Sequence, residues 1–217
     1  MVLSLSPSPF TTEYADFLRP MAQLWRISWD FWDNWDALKK QFEIAHTWAP
    51  FVQTGAWPDA DMLPLGRIGI RAERGDDRSS GFTHDEHYTL MTLWSIFRSP
   101  LMFGGDLPSN DPFTLALITN DEVLAVNQTS SGGHQSYQED DIVAWTADAP
   151  GGAGKYVAIF SIGDTAKKVA LTWSSVEVNS RTASVRDLWA KKNLGDADHL
   201  AVTLPPHGSA LFRIGTK

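Results

Sequence analysis

The chain has 217 residues, no cysteine and a formal net charge of −8, with a pI near 5.1. An acidic chain without a Lys/Arg block argues against nucleic acid and anionic membranes as partners. No apolar stretch is long enough to span a bilayer, and the lack of cysteine excludes disulfides and thiolate metal sites. Ten tryptophans are many for this length, which fits either a large core or a carbohydrate pocket.

In chain order, MVLSLSPSPF lacks the charged start and long apolar core of a signal peptide, and the compartment stays open. Val2 to Ser6 alternates apolar residues with Ser and stops at Pro7 and Pro9, which predicts a short strand running into a loop. Thr11 to Gln23 carries Tyr14, Phe17, Leu18 and Met21 at helical spacing. Leu24 to Ser28 is the next expected strand. Phe31 to Trp48 is an amphipathic helix closed by Pro50, and Trp57 to Leu63 a third strand. Pro64 to Gly81, rich in Gly, Arg and Asp, reads as an exposed loop. Thr83 with Glu86 fits a capping box opening a helix to about Arg98. Leu101 to Phe103 is a fourth strand, and Asp111-Pro112 opens a short helix to about Thr119.

Strand and helix thus alternate four times over residues 1–126, as in a βα barrel or a doubly wound sheet. Asn127 to Tyr137 (NQTSSGGHQSY) reads as a polar linker. Short strands follow at Ile142–Trp145, Tyr156–Ile162, Lys168–Trp173, Ser184–Asp187, Leu200–Leu204 and Ser209–Ile214. Turn signals separate them, so residues 127–217 read as an antiparallel sandwich.

Two runs carry the chemistry. Trp25-Arg26-Ile27-Ser28-Trp29-Asp30 and Trp57-Pro58-Asp59-Ala60-Asp61-Met62 are short, largely apolar stretches with acids at their ends. Barrel strands deliver carboxylates to a pocket in this way, at their C-terminal ends. Aromatic rings stack on the apolar face of a pyranose while an acid serves the glycosidic oxygen. On spacing alone Asp30 reads first as the cap of the helix that follows. Asp59 and Asp61, two apart, face one side of a strand. His84-Asp85-Glu86-His87 has the spacing of a helical metal pair, but the capping box already accounts for Glu86 and no third ligand is evident.

These runs resemble glycoside hydrolase family 27, the melibiase or α-galactosidase family. WRISWDFWDNW is similar to its strand-six motif and WPDADMLPLG to its strand-seven motif. TLMTLWSIFRSPLMFGGDLP is similar to helix seven and strand eight, and NDEVLAVNQ to the last barrel turn. VRDLWAKKNLG and PPHGSALFRI are similar to the family's C-terminal sandwich. The resemblance implies an α/β fold, the C-terminal half of a (β/α)8 TIM barrel (residues 1–126) followed by an antiparallel β-sandwich (residues 127–217). It implies a retaining glycosidase for terminal α-galactosidic or related bonds, with no metal and no cofactor. Asp30 takes the place of the general acid/base and Arg26 that of a sugar contact. Asp61 and Met62 are expected to line the pocket, Asp59 to support it, and Trp29, where bacterial relatives often carry another Asp, to shape its wall against substrate.

The family nucleophile, an Asp in a Lys-x-Asp motif ending strand four, has no counterpart here, and SLSPSP departs from the usual specificity loop after strand five. The expectation is therefore a chain supplying the acid/base half of the site, inactive alone, whose N-terminal barrel half is missing or separately encoded. The substrate would be an oligosaccharide or glycoside. Association would be with that missing half or with a second copy. The rival reading is a non-catalytic remnant, a carbohydrate-binding or assembly module docking on another chain. Hydrolysis of a β-L-arabinopyranoside is a third.

Overall fold

The computed structural model describes residues 1–215. The chain divides into two compact units, one of Met1–Thr83 with Ser99–Thr119, the other of His84–Arg98 with Asn120 onward.

In the first unit, β1 (Ser4–Leu5), α1 (Ala15–Met21), β2 (Leu24–Arg26), α2 (Trp35–Trp48) and β3 (Trp57–Asp59) alternate. The three strands form a parallel sheet in the order β1-β2-β3, with Leu5 opposite Trp25 and Arg26 opposite Asp59. A parallel bridge from Leu63 to Phe103 extends this pattern to the segment expected as the fourth strand, which is reduced here to that single bridge. Trp25 is fully buried and packs on Trp48 of α2, ring centroids 6.2 Å apart. Burying a side chain of this kind contributes about 1.5–3 kcal/mol, and it pins α2 to the sheet.

Several boundaries differ from expectation. The second helix starts at Trp35, not Phe31, because Asn34 caps it: the Asn34 side chain accepts the Ala37 N–H at 2.9 Å. Asp30 is therefore not a cap, and residues 27–34 are free to form the rim of a site. The segment 64–81 is not simply an exposed loop. It folds into a hairpin, β4 (Arg67–Ile68) with β5 (Arg78–Ser79), and buries Leu65 and Ile68. The first helix is a 3-10 turn (Thr12–Tyr14) leading into α1. Of its periodic apolar residues only Leu18 is buried, while Tyr14, Phe17 and Met21 are exposed.

The chain enters the second unit with α3 (His84–Phe97). It returns to the first for α4 (Pro112–Ile118), capped by Asp111, whose carboxylate accepts the Thr114 N–H at 2.7 Å. In the second unit α5 (Asp121–Thr129) precedes β6 (Ser131–Glu139), β7 (Ile142–Asp148), β8 (Lys155–Ser161), β9 (Lys167–Thr172), β10 (Ala183–Asp187), β11 (Lys192–Ala197), β12 (His199–Leu204) and β13 (Ser209–Gly215). A six-stranded sheet runs β11-β10-β13-β8-β7-β6, and β12 pairs with β9. Both are antiparallel. Val157, Ile159, Phe212 and Ile214 from the larger sheet pack on Val169, Leu171, Leu200 and Leu204 from the smaller. That is the two-layer core of a sandwich.

The stretch read as a linker is instead the end of α5 and most of β6, an outer strand of the larger sheet. Its Gly and Ser content hid it, since strand signals rest on β-branched and aromatic residues. β11 was missed for the same reason: KNLGDA has one large apolar residue. Nearly every residue of α3 is buried, polar ones such as Thr89, Thr92 and Ser95 included. Its Phe97 meets Trp145 of β7 edge-on at 6.1 Å. Glu86, expected in a capping box, has its Oε1 2.7 Å from His207 Nδ1.

Candidate active site

The site lies in the first unit, where the chain leaves β2 and β3. Parallel pairing brings Arg26 level with Asp59, and the turns beyond are stitched together. Ile27 N–H donates to Asp59 O at 3.0 Å, and the buried Ser28 hydroxyl donates to Ala60 O at 3.4 Å. Ala60 N–H donates to Ser99 Oγ at 3.0 Å. Buried peptide groups at strand ends need such partners, and meeting that need fixes where the acids sit.

Arg26 is the hub. One Nη2 lies 2.8 Å from Asp61 Oδ2 and 3.6 Å from Asp30 Oδ1, and donates to Ser28 O at 3.1 Å. Its side chain is 14% exposed, whereas that of Asp30 is 80% exposed. Asp61 Oδ2 also accepts the Phe31 N–H at 2.6 Å, and Oδ1 accepts the Met62 N–H at 2.7 Å. Asp59 is buried and its Oδ1 accepts the Asp61 N–H at 2.9 Å. Burial raises both the Asp59 and the Asp61 carboxyl above the ordinary value. Backbone N–H donors and the Arg26 guanidinium pull each partly back.

A cleft of about 400 Å³ opens beside Asp30, lined by Arg26, Ser28, Trp29, Asp30, Arg74 and the Ser6–Pro9 segment. Trp29 is 76% exposed, so its ring is available to a ligand. The structure thus brings Asp30, Arg26 and Trp29 to one cleft. Asp59, Asp61 and Met62 do not line that cleft, and Met62 packs over Gly104, where a Cβ would meet its Sδ at 2.5 Å. Trp25 and Phe31 point into the core, Phe31 stacks on Phe82 at 6.1 Å, and the Arg74 guanidinium lies 5.8 Å over Trp32.

The sequence reading missed Arg74 and the Asp33–Arg78 pair. Arg74 reaches the cleft from the hairpin segment, the Ser6–Pro9 part of the SLSPSP loop forms a wall, and Arg78 pairs with Asp33. The Asp33 carboxylate is buried, accepts the Gly81 N–H at 2.5 Å and binds Arg78 through both oxygens. Burial works against its charge, but Arg78 and the Gly81 N–H together hold its pKa below the ordinary value. This tie joins the rim after β2 to the hairpin. An Asp four residues ahead of an Arg would have signalled such a pair, but these two lie forty-five positions apart.

An acid presented on a strand end, a guanidinium beside it and an exposed indole form a sugar-directed arrangement. Two family profiles match the chain. A family profile described as alpha galactosidase A matches residues 6–129, and that of the alpha galactosidase C-terminal beta sandwich domain matches residues 139–214. The chain belongs to glycoside hydrolase family 27, the melibiase family. Its fold is the C-terminal part of the family's TIM barrel, followed in sequence by the antiparallel β-sandwich.

Among melibiase relatives, alpha-galactosidase 2 of Arabidopsis thaliana is 28% identical over 196 residues, 88% of this chain and 46% of the relative. An alpha-galactosidase of Oryza sativa subsp. japonica is 25% identical over 195 residues, 88% of this chain and 44% of the relative. The crystal structure of a family 27 β-L-arabinopyranosidase from Geobacillus stearothermophilus superposes with a TM-score of 0.95 at 46% identity. The match covers 99% of this chain and 50% of that one. The chain spans about half the length of the relatives it matches.

Proposed function

We propose that this chain forms the acid/base half of a retaining glycosidase that cleaves terminal α-galactosidic or related bonds. The observation that carries the reading is Asp30, presented at a strand end beside Arg26 and Trp29 on one cleft. Membership of the melibiase family supports it. In the retaining reaction a carboxylate attacks the anomeric carbon from one side. Asp30, protonated, gives its proton to the departing glycosidic oxygen on the other. In the second step Asp30, now a carboxylate, takes a proton from water, whose oxygen attacks the anomeric carbon and releases the first carboxylate. Arg26 steadies hydroxyls through its planar donors, and Trp29 offers a face for the ring. The family motif also implies pocket roles for Asp61, Met62 and Asp59, which here do not line the cleft beside Asp30. No metal or cofactor takes part.

The attacking carboxylate would come from the N-terminal half of a family barrel, which is also the partner we propose. Two exposed surfaces suit it: Val2 and Leu3 beside β1 with Phe17 and Met21 on α1, and Met102 with Leu107 beyond the Leu63–Phe103 bridge. A second copy of this chain is the other candidate for those surfaces. We set the domain boundary between residues 126 and 127, just before the first profile match ends at residue 129 and ahead of the second, which begins at residue 139.

A β-L-arabinopyranoside is the second substrate reading, favoured by the 46% identity to the Geobacillus stearothermophilus enzyme. The test is to purify the chain with the N-terminal half of that enzyme. Aryl α-galactoside and aryl β-L-arabinopyranoside are then assayed side by side. Turnover of either by the pair supports the glycosidase reading, and the faster one names the sugar. A soluble, tightly associated pair that binds galactose and arabinose but turns over neither glycoside would favour the non-catalytic reading.

A further inference from the structure

Asp61 is turned toward the segment that carries Asp30. Its Oδ2 accepts the N–H of Phe31, the residue directly after Asp30, at 2.6 Å. The same oxygen lies 2.8 Å from Arg26, and Oδ1 accepts the Met62 N–H at 2.7 Å. The residue stands in the left-handed region with φ of 83°, which L side chains seldom adopt. Such a conformation persists where the surrounding bonds over-determine it. Here those bonds are the three just named and the Asp61 N–H to Asp59 Oδ1 at 2.9 Å. The cleft beside Asp30 is lined by Arg26 and Trp29 but not by Asp61.

We propose that Asp61 is a positioning residue: it clamps the peptide after Asp30 and holds Arg26 at the cleft wall, and it is not a sugar ligand. Hydrogen bonds to a charged acceptor are short and strong, so this one fixes the Asp30 backbone where a neutral side chain would hold it loosely. A misplacement of about 1 Å in a reacting group can cost about 10²-fold in rate. The proposal rests on the glycosidase reading only for its catalytic consequence, since the clamp itself is a property of this chain.

Two variants test it. Asp61→Gly accepts the positive φ and removes both carboxylate oxygens. Asp61→Asn keeps one acceptor, which cannot serve Phe31 and Met62 together. In the full chain, amide exchange at Phe31 is expected to rise about tenfold or more in Asp61→Gly, and at Met62 or Phe31, whichever loses the acceptor, in Asp61→Asn, with exchange in α2 unchanged. Paired with the N-terminal barrel half, both variants are expected to lose about 10²-fold in kcat, with any rise in KM no larger than the loss of sugar affinity in Arg26→Lys. Unchanged protection of Phe31 in Asp61→Gly overturns the proposal, and so does a raised KM with kcat retained, the signature of a sugar ligand. If the wild-type pair has no turnover, the glycosidase reading fails, and the exchange measurement still decides the clamp.

Discussion

Arg26 Nη2 lies 2.8 Å from Asp61 Oδ2, so the guanidinium beside the cleft is held by an acid that is not the proposed proton donor. Asp30 stands farther off, at 3.6 Å. This ordering ties Arg26 to the buried Asp61 and leaves the exposed Asp30 outside its tightest contact.

Arg26→Lys should weaken sugar binding. One guanidinium reaches Asp61, Asp30 and Ser28 O together, and an ammonium cannot reproduce its planar fork. Calorimetry with galactose on the assembled enzyme is expected to show a loss of about tenfold or more, on the scale of a charge-assisted contact. Equal affinities would make Arg26 a structural residue.

Asp59 gives a pH signature. Burial raises its carboxyl above the ordinary value, with the Asp61 N–H opposing. The folded chain therefore keeps this proton to higher pH than the unfolded chain. Its contribution to stability is complete below the unfolded pKa and is lost as pH rises through the folded one. Asp59→Asn, which retains the acceptor for the Asp61 N–H, should match wild type below the ordinary carboxylate range and should melt progressively higher than wild type as pH rises through the raised Asp59 pKa. Melting curves from acid to neutral pH check this, and a gap that does not widen with pH contradicts it.

Phe17 and Met21 are 63% and 54% exposed, so replacing both with Ser should change stability by no more than about 0.5 kcal/mol each. Association should suffer instead, because exposed apolar patches mark interfaces. Binding to the N-terminal barrel half, followed by size-exclusion chromatography, is expected to weaken at least tenfold. A large fall in melting temperature would mean that these side chains support the unit itself.

The parallel strands and the acids at their ends were legible because short apolar runs ending in acids have a local pattern. The cap of α2, Asn34, was hidden because the aromatic run Phe31-Trp32 disguised the helix start and Asp30 offered a cap ahead of it. What the sequence hid was tertiary. Phe17 and Met21 sit at core spacing yet face solvent, since periodicity tells which residues share a face and not what covers it. Asp33 with Arg78, and Asp61 with Phe31, join residues thirty or more apart, and no local rule links them. β6 lacked β-branched residues and took its conformation from pairing with β7.

The most direct test is the leaving-group dependence of Asp30→Asn in the assembled enzyme. A lost general acid matters most where the departing oxygen is a poor leaving group. The variant is expected to fall by about 10²–10⁴-fold on an unactivated α-galactosyl disaccharide and far less in the first step on an activated aryl glycoside. A disaccharide rate equal to that of wild type would contradict the assignment of Asp30 and, with it, the claim that this chain brings the acid/base to the site.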